Sequence, residues 1–312
     1  MSERKLQFEA GAERERLDEF IARYVPDLSL TRIRRAVTEG AVLVNDALSK
    51  PGARLSSGDR ISLVIGADER TSTTPEPIPL EILHEDQDII VVNKPTALLM
   101  HPSRTEKSGT LTNALAYHFQ QTSQAGVRPG LIHRLDRNTS GVVVIAKNTR
   151  AHRIIAKAFR QRRVEKRYLA LVCGRLKNES GEIEAPIDRN PESWPRWGVM
   201  ESGRPAVTRY VVRQRFREHM LVEAEPLTGR THQIRIHFTW IGHPLFGDLV
   251  YKAAQQEAGE AEIKAETLSL PHHLLHASFL SFRHPEDGRE VSFTAPMPLL
   301  MRETIEGLAK DG

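Results

Sequence analysis

One carboxylate in this chain stands in an unusual setting. Asp136 lies between Arg134 and Arg137, with Asn138-Thr139-Ser140-Gly141 behind it and then the apolar run Val142-Val143-Val144-Ile145-Ala146. A carboxylate placed there is either a surface ion pair or a reactive group kept ionised for nucleophilic or acid–base work. Two further stretches carry groups that could act with it. In Glu165-Lys166-Arg167-Tyr168-Leu169-Ala170-Leu171-Val172 a tyrosine opens a strand-like run, and Thr228-Gly229-Arg230-Thr231-His232-Gln233-Ile234-Arg235-Ile236-His237 supplies arginines and histidines. Taken singly, Tyr168 reads as core and Arg235 as one more anion contact. Their co-occurrence with Asp136 favours a site.

Other chemistries find less support. His232 and His237 are five residues apart, a poor helical spacing for two ligands on one face, and the group His272, His273 and His276 has no cysteine beside it, so no metal is expected. No glycine loop suited to cradling phosphate and no cysteine pair is present, and no cofactor is expected. The single cysteine, Cys173, permits no intrachain disulfide, favours a reducing compartment and reads as a small buried hydrophobe.

The basic residues are clustered. Formal charge is only +4, but residues 150–167 hold eight Lys or Arg against one acid, Glu165, and the pI is about 9.2. Such a local field attracts polyanions, and nucleic acid is the expected partner. The opening residues lack the apolar core of a secretion signal, and no run approaches the roughly 18 apolar residues of a membrane span. The expectation is a soluble, cytoplasmic protein without membrane contact, with a monomer as the simplest state.

The elements that must position these residues fall into two domains, the default for 312 residues. Residues 14–66 form a small unit: Leu17, Phe20, Ile21, Tyr24 and Val25 make one helical stripe, and a second helix, capped by Ser29 or Thr31, turns Ile33, Ala36 and Val37 inward and Arg32, Arg34 and Arg35 outward. Strands Val42-Leu43-Val44 and Ile61 to Ile65 follow, with a turn at Asn45-Asp46. Residues 67–79, polar and carrying three prolines, read as an extended linker. Residues 80–312 read as an α+β domain with a mixed, largely antiparallel sheet. Its expected strands are Ile89–Val92, Val142–Ala146, Val164–Val172, Val207–Phe216 and Met220–Ala224, closed by His276–Phe282 and Val291–Phe293. Helices are expected at Thr110–Gln121, after Arg150, and across Leu227–Ile241, and residues 252–267 read as an inserted surface segment.

The stretch "TRIRRAVTEGAVLVNDALSKPGARLSSGDRI" resembles the alpha-L RNA-binding domain known from ribosomal small-subunit protein four. The resemblance implies that Arg32, Arg34 and Arg35 lie against RNA phosphates. In place of the family's usual Asn-Gly turn stands Asn45-Asp46. From about Ile82 to Ile305, the three chemical stretches, with "NKPTALLMHPS" before and "GHPLFGDLVY" after, resemble the RluA-type pseudouridine synthases of ribosomal large-subunit RNA.

That resemblance implies isomerisation of a uridine in structured RNA: the N-glycosidic bond breaks, the uracil turns, and it rejoins the ribose through carbon-5. Glycoside hydrolysis uses two carboxylates; here one suffices, because the detached uracil stays and serves as the next nucleophile. By the motif match Asp136 is the catalytic carboxylate, acting on ribose or uracil or removing a ribose proton. Burial alone would favour its neutral acid, and Arg235 is implied as the cation that keeps it ionised. Tyr168 is implied to stack on the target base and to be the candidate base for the carbon-5 proton. Arg134 is implied to fill the gap left by the flipped base, with His133 and Arg230 beside the RNA. Two departures stand near the expected substrate: Thr96-Ala97 where the family carries a glycine, and His272-His273 in place of Arg-Gln. The rival reading is an RNA-binding or ribosome-assembly factor without chemistry, which predicts a missing essential residue. A nuclease or hydrolase lacks its second carboxylate or metal.

Overall fold

The computed structural model describes residues 4–11, 14–25, 28, 30–65, 74–103, 105–122, 127, 129–190, 197–251 and 270–310. The chain divides between Thr73 and Thr74 into two compact units.

In the first unit, β1 (Arg4–Glu9), α1 (Leu17–Tyr24), α2 (Leu30–Thr38), β2 (Val42–Val44), β3 (Ala47–Leu48) and β4 (Arg60–Ile65) build a sheet of order β1-β4-β2-β3. The expected apolar stripes form its core, with Leu17, Phe20, Ile21, Val25, Ile33 and Val37 buried, except that Tyr24 is exposed, with its ring against those of Phe8 and Phe20. Strand β1 was not expected. Its alternation is nonetheless present, since Leu6 and Phe8 pack on the core while Lys5, Gln7 and Glu9 are exposed. Asn45 and Asp46 both take positive φ, 50° and 63°, the geometry of a two-residue hairpin turn. Aspartate thus occupies the position the family gives to glycine. Arg34 is less free than its outward placement suggested: its Nε lies 2.6 Å from the fully buried carboxylate of Asp18, which Arg16 also holds at 3.0 Å. Those bonds pull the Asp18 carboxyl down to about 2. Ser29 and the side chain of Thr31, the expected caps, lie outside the described residues.

The second unit begins earlier than the expected linker end. Asn113 Nδ2 donates to the Thr74 carbonyl, Glu76 accepts from the Gly109 amide, and Ile78 and Leu80 pack on the core. Residues 74–79 are therefore docked, and 67–73 lie outside the described residues. Then come β5 (Glu81–Glu85), β6 (Ile89–Lys94), α3 (Leu111–Gln121), β7 (Gly130–Leu131), β8 (Ser140–Ala146), α4 (Thr149–Arg160), β9 (Glu165–Cys173), β10 (Ser180–Glu184), β11 (Ile187–Arg189), β12 (Trp197–Val199), β13 (Val207–Arg215), β14 (His219–Pro226), α5 (Gln233–Trp240), β15 (Leu275–Arg283), β16 (Glu290–Thr294) and α6 (Leu299–Lys310).

The main sheet runs β10-β13-β14-β9-β15-β8-β6-β5, with β7 beside β8 and β16 beside β15. Strand β8 is buried along its whole length, as its unbroken apolar run requires. Strand β15 is no closing edge. It is inserted between β9 and β8, pairing antiparallel with β9 and parallel with β8 through two residue pairs, His276↔Ser140 and Ala277↔Gly141. Farther along it leaves β8 and pairs with β16. Gly141, at φ 116°, lies so close that a Cβ there would sit 2.2 Å from the Ala277 carbonyl oxygen, so glycine alone fits.

Helix α3 starts at a capping box between Thr110 and Asn113. The expected 227–241 helix is shorter: Thr228–His232 form a turn and only Gln233–Trp240 is helical. Strands β5 and β10–β12 and helix α6 went unexpected, and the 252–267 segment lies outside the described residues.

Candidate active site

The adjacent strands β8, β15, β9 and β14 bring the three chemical stretches together. Asp136 precedes β8, Tyr168 lies on β9 between Ala277 of β15 and Ala224 of β14, and the loop carrying Arg230 leaves β14. A cavity of about 750 Å³ opens over them, lined by His133, Arg134, Asp136, Tyr168, Arg230 and Arg235 among others. All six of those expected site residues therefore meet. Arg32, Arg34 and Arg35 belong to the first unit.

The Asp136 loop is fixed from behind. Leu135 is buried in the core while Arg134 is exposed at the cavity, and the Thr139 amide donates to the Asp136 carbonyl at 3.1 Å. The Lys94 ammonium, fully buried, donates to the carbonyls of Pro95, Leu98 and Arg137 at 2.7, 2.9 and 3.0 Å. One lysine thus ties the strand β6 exit to the Asp136 loop. Burial lowers it to about 7, against the pull of Asp136. Ala97 in that exit takes φ 62°, the left-handed conformation that explains a glycine preference here.

His133 serves the loop. Its Nε2 accepts from the Val144 amide of β8 at 3.1 Å, and its ring stacks on Phe159 at 4.7 Å. Burial, with Lys166 nearby, pushes it down to about 3, so it is neutral. Only its edge on the cavity is available to RNA. His273, expected near substrate, is buried behind the loop, 3.1 Å from the Thr139 hydroxyl.

Arg235 meets two carboxylates. Its Nη1 is 3.5 Å from Asp136 Oδ2, while Nε and Nη2 form a closer bidentate pair with Asp248 at 2.6 and 3.0 Å. Both Arg235 and Asp248 are buried, and Asp248 with Asp136 keeps the guanidinium above its ordinary value despite that burial. Asp248 escaped the sequence reading, although it stands in the quoted "GHPLFGDLVY". His232 also escaped it: its Nε2 lies 3.7 Å from Asp136 Oδ1 and its Nδ1 2.8 Å from the Tyr251 hydroxyl. It holds the left-handed conformation at φ 56°, just ahead of α5. Gln233 pins this turn, accepting from the Thr228 hydroxyl and the Arg230 amide and donating to the Val207 carbonyl.

Tyr168 packs half-buried between two core clusters. Burial and the negative charge of Asp136 both raise its phenol, which keeps it protonated at neutral pH and favours a stacking wall over a base. Among the described residues a trio with ligand spacing, Asp88, His284 and Glu286, lies away from this cavity. Asp88 there already accepts from Arg150 and Asn148.

An arrangement of one cavity carboxylate, a buried guanidinium and a flat aromatic wall suits chemistry on a planar base attached to a ribose. Comparison with known proteins agrees. Residues 88–240 match the family model described as RNA pseudouridylate synthase, and residues 15–61 match the S4 domain. An RNA pseudouridine synthase of Aquifex aeolicus is 42% identical over 94% of this chain and 93% of its own. The ribosomal large subunit pseudouridine synthase D of Pasteurella multocida is 35% identical over 95% and 92%. The structure of human RNA pseudouridylate synthase domain containing 1 has a TM-score of 0.57 at 26% identity, covering 75% of this chain and 96% of that one. Strand order, cavity and relatives converge: the chain belongs to the RluA-type RNA pseudouridine synthases that carry an N-terminal S4 (alpha-L) domain.

Proposed function

We propose that this enzyme isomerises uridine in large-subunit ribosomal RNA, with Asp136 as its single catalytic carboxylate. The observation that carries the reading is the convergence of Asp136, Tyr168 and Arg235 on one cavity from three separate stretches. The ribosomal substrate follows from relatives named for the large subunit and from the S4 unit. In that unit α2 carries Arg32, Arg34 and Arg35 opposite the buried Ile33 and Val37, with Arg34 shared with Asp18 and Arg35 paired with Glu39 at 2.8 Å.

The uridine leaves its stack and enters the cavity, and the exposed Arg134 takes the vacated place. Tyr168 then forms the wall against which the base lies. Asp136, facing the Arg235 guanidinium at 3.5 Å, acts at the ribose or the uracil as the glycosidic bond breaks. The uracil turns within the cavity and its carbon-5 bonds to the ribose; carbon-5 then gives up its proton to solvent while the freed N1 takes one up, so the product is an isomer and no redox partner is required. The cytoplasmic, monomeric and metal-free character expected from the sequence belongs to this reading.

The test uses ribosomal RNA labelled with tritium at uridine carbon-5. The native chain releases the label, and Asp136→Asn stops release while RNA binding stays within about threefold. Undiminished release by that variant would remove Asp136 from the mechanism. The non-catalytic rival would be favoured if the native chain released nothing from any ribosomal RNA.

A further inference from the structure

Three arginines that line the cavity come from three different turns. Arg162 follows α4, Arg204 lies between β12 and β13, and Arg230 lies in the turn before α5. Among the described residues none of the three has a carboxylate partner. The one side-chain bond found among them is from Arg230 Nε to the Pro205 carbonyl at 3.1 Å. Glu225, on the same cavity, acts on Lys166 instead. Like charges left together without counterions repel one another. Burial and the neighbouring guanidinium groups of Arg204 and Arg162 lower Arg230 from its ordinary value, and Arg162 also contributes to lowering Lys166, to about 8.

Each backbone is held in place. At the end of α4 the Arg162 amide donates to the Phe159 carbonyl and the Arg163 amide to the Ala158 carbonyl, the paired bonds of a Schellman ending. The residue in the left-handed conformation of such an ending is usually glycine, and here it is Arg162 at φ 56°. An arginine thus stands where glycine would be less strained. Arg204 exchanges both backbone hydrogen bonds with Ile187 at 3.0 Å. Gly203 beside it permits that approach, since a Cβ there would lie 2.8 Å from the backbone of Ile187 and Met200. Gln233 accepts from the Arg230 amide at 3.0 Å.

We propose that Arg162, Arg204 and Arg230 form a discrete site for one backbone phosphodiester of the RNA strand entering the cavity. The proposal rests on the pseudouridine synthase reading for the identity of that strand, and it goes beyond general basicity by naming one phosphate and its three holders. A phosphodiester supplies the anion that the cluster lacks, and guanidinium forks from different turns grip it from several sides. It would anchor the strand while the uridine swings inward.

The experiment measures binding of a large-subunit ribosomal RNA fragment to the full chain across a KCl series, together with melting midpoints. Arg162→Gly should melt higher, its strain removed, yet bind several-fold more weakly, with a salt slope shallower by about 0.7 to 0.9. Arg204→Gln and Arg230→Gln should move the same way. The Arg162→Gly, Arg204→Gln pair should lose less than the sum of its parts, because both serve one phosphate. Arg289→Gln, on the exposed β15–β16 turn, is the charge-matched control. Slopes for Arg162→Gly and Arg204→Gln equal to that of the control would overturn the site, as would strictly additive losses. Tritium release by the native chain is read in parallel. Its absence would defeat the proposed reaction and leave the slopes to decide the phosphate site.

Discussion

Arg235 divides its guanidinium unequally, giving two short bonds to Asp248 and one long contact to Asp136. The consequence is that the guanidinium approaches Asp136 without binding it tightly, leaving the carboxylate oxygens open to the cavity. Asp248→Asn keeps the shape and removes the charge. Breaking this buried pair should cost about 3 kcal/mol of unfolding free energy, and urea titration would read it. Arg235 should then turn fully onto Asp136, so tritium release should slow even in folded enzyme. A variant with native stability and native release would show that Asp248 holds nothing. Asp136, Tyr168 and Arg235 were legible because each stands in a distinctive run of residues. Asp248 was not, since its role exists only when the segment after α5 folds back beside Arg235, and His232 was not, since its approach to Asp136 depends on the left-handed turn that it makes ahead of α5. Lys94 was equally opaque: nothing in Asn93-Lys94-Pro95 says that an ammonium will be sealed among three carbonyls.

At the scale of elements, periodicity named most of the strands near the site but not their neighbours. The run Val142–Ala146 read as a strand from its own composition. That β15, over 130 residues later in the chain, would lie beside it depends on long-range pairing. Gly141 offered the one local trace of that join, because a glycine opening an apolar strand implies a close backbone neighbour. Short strands such as β11 and β12, three residues each, carry too little pattern to register. The join itself can be tested. Gly141→Ala puts a methyl against the Ala277 carbonyl and forces an unfavourable φ, and should lower stability by about 3 to 5 kcal/mol. Denaturant unfolding measures this, and a loss below about 1 kcal/mol would mean that the two strands part easily.

For the whole molecule, acidity is the condition to which the second unit should respond. His273 sits at about 4 and His133 at about 3, both depressed by burial from 6.5. Below pH 6.5 the unfolded chain takes up protons that the native chain refuses, so stability falls as pH falls. His273 alone should account for roughly 2 kcal/mol between pH 8 and pH 5. His273→Gln, which restores the residue common in the family, should flatten that limb in unfolding curves taken at both pH values. An unchanged limb would mean that His273 is protonated in the native state. Lys94 acts in the opposite range: from about pH 7 to 10.5 the unfolded chain holds a proton that the native one sheds, and stability gains as pH rises. The two-unit plan was readable from length and from the basic helix of the first unit, whereas the docking of residues 74–79 depended on partners in α3 and its cap.

The two-pair parallel join between β8 and β15 also divides labour mechanically. Asp136 is carried by the strands on one side of it, and Tyr168 and Arg235 by those on the other. The Asp136 carboxylate and the Arg235 guanidinium are therefore carried on opposite sides of a join whose backbone pairing is only two residues long. Any displacement along that join would change the 3.5 Å Asp136–Arg235 gap directly. A load placed by RNA on either half of the sheet would therefore reach the Asp136 carboxylate through this short join.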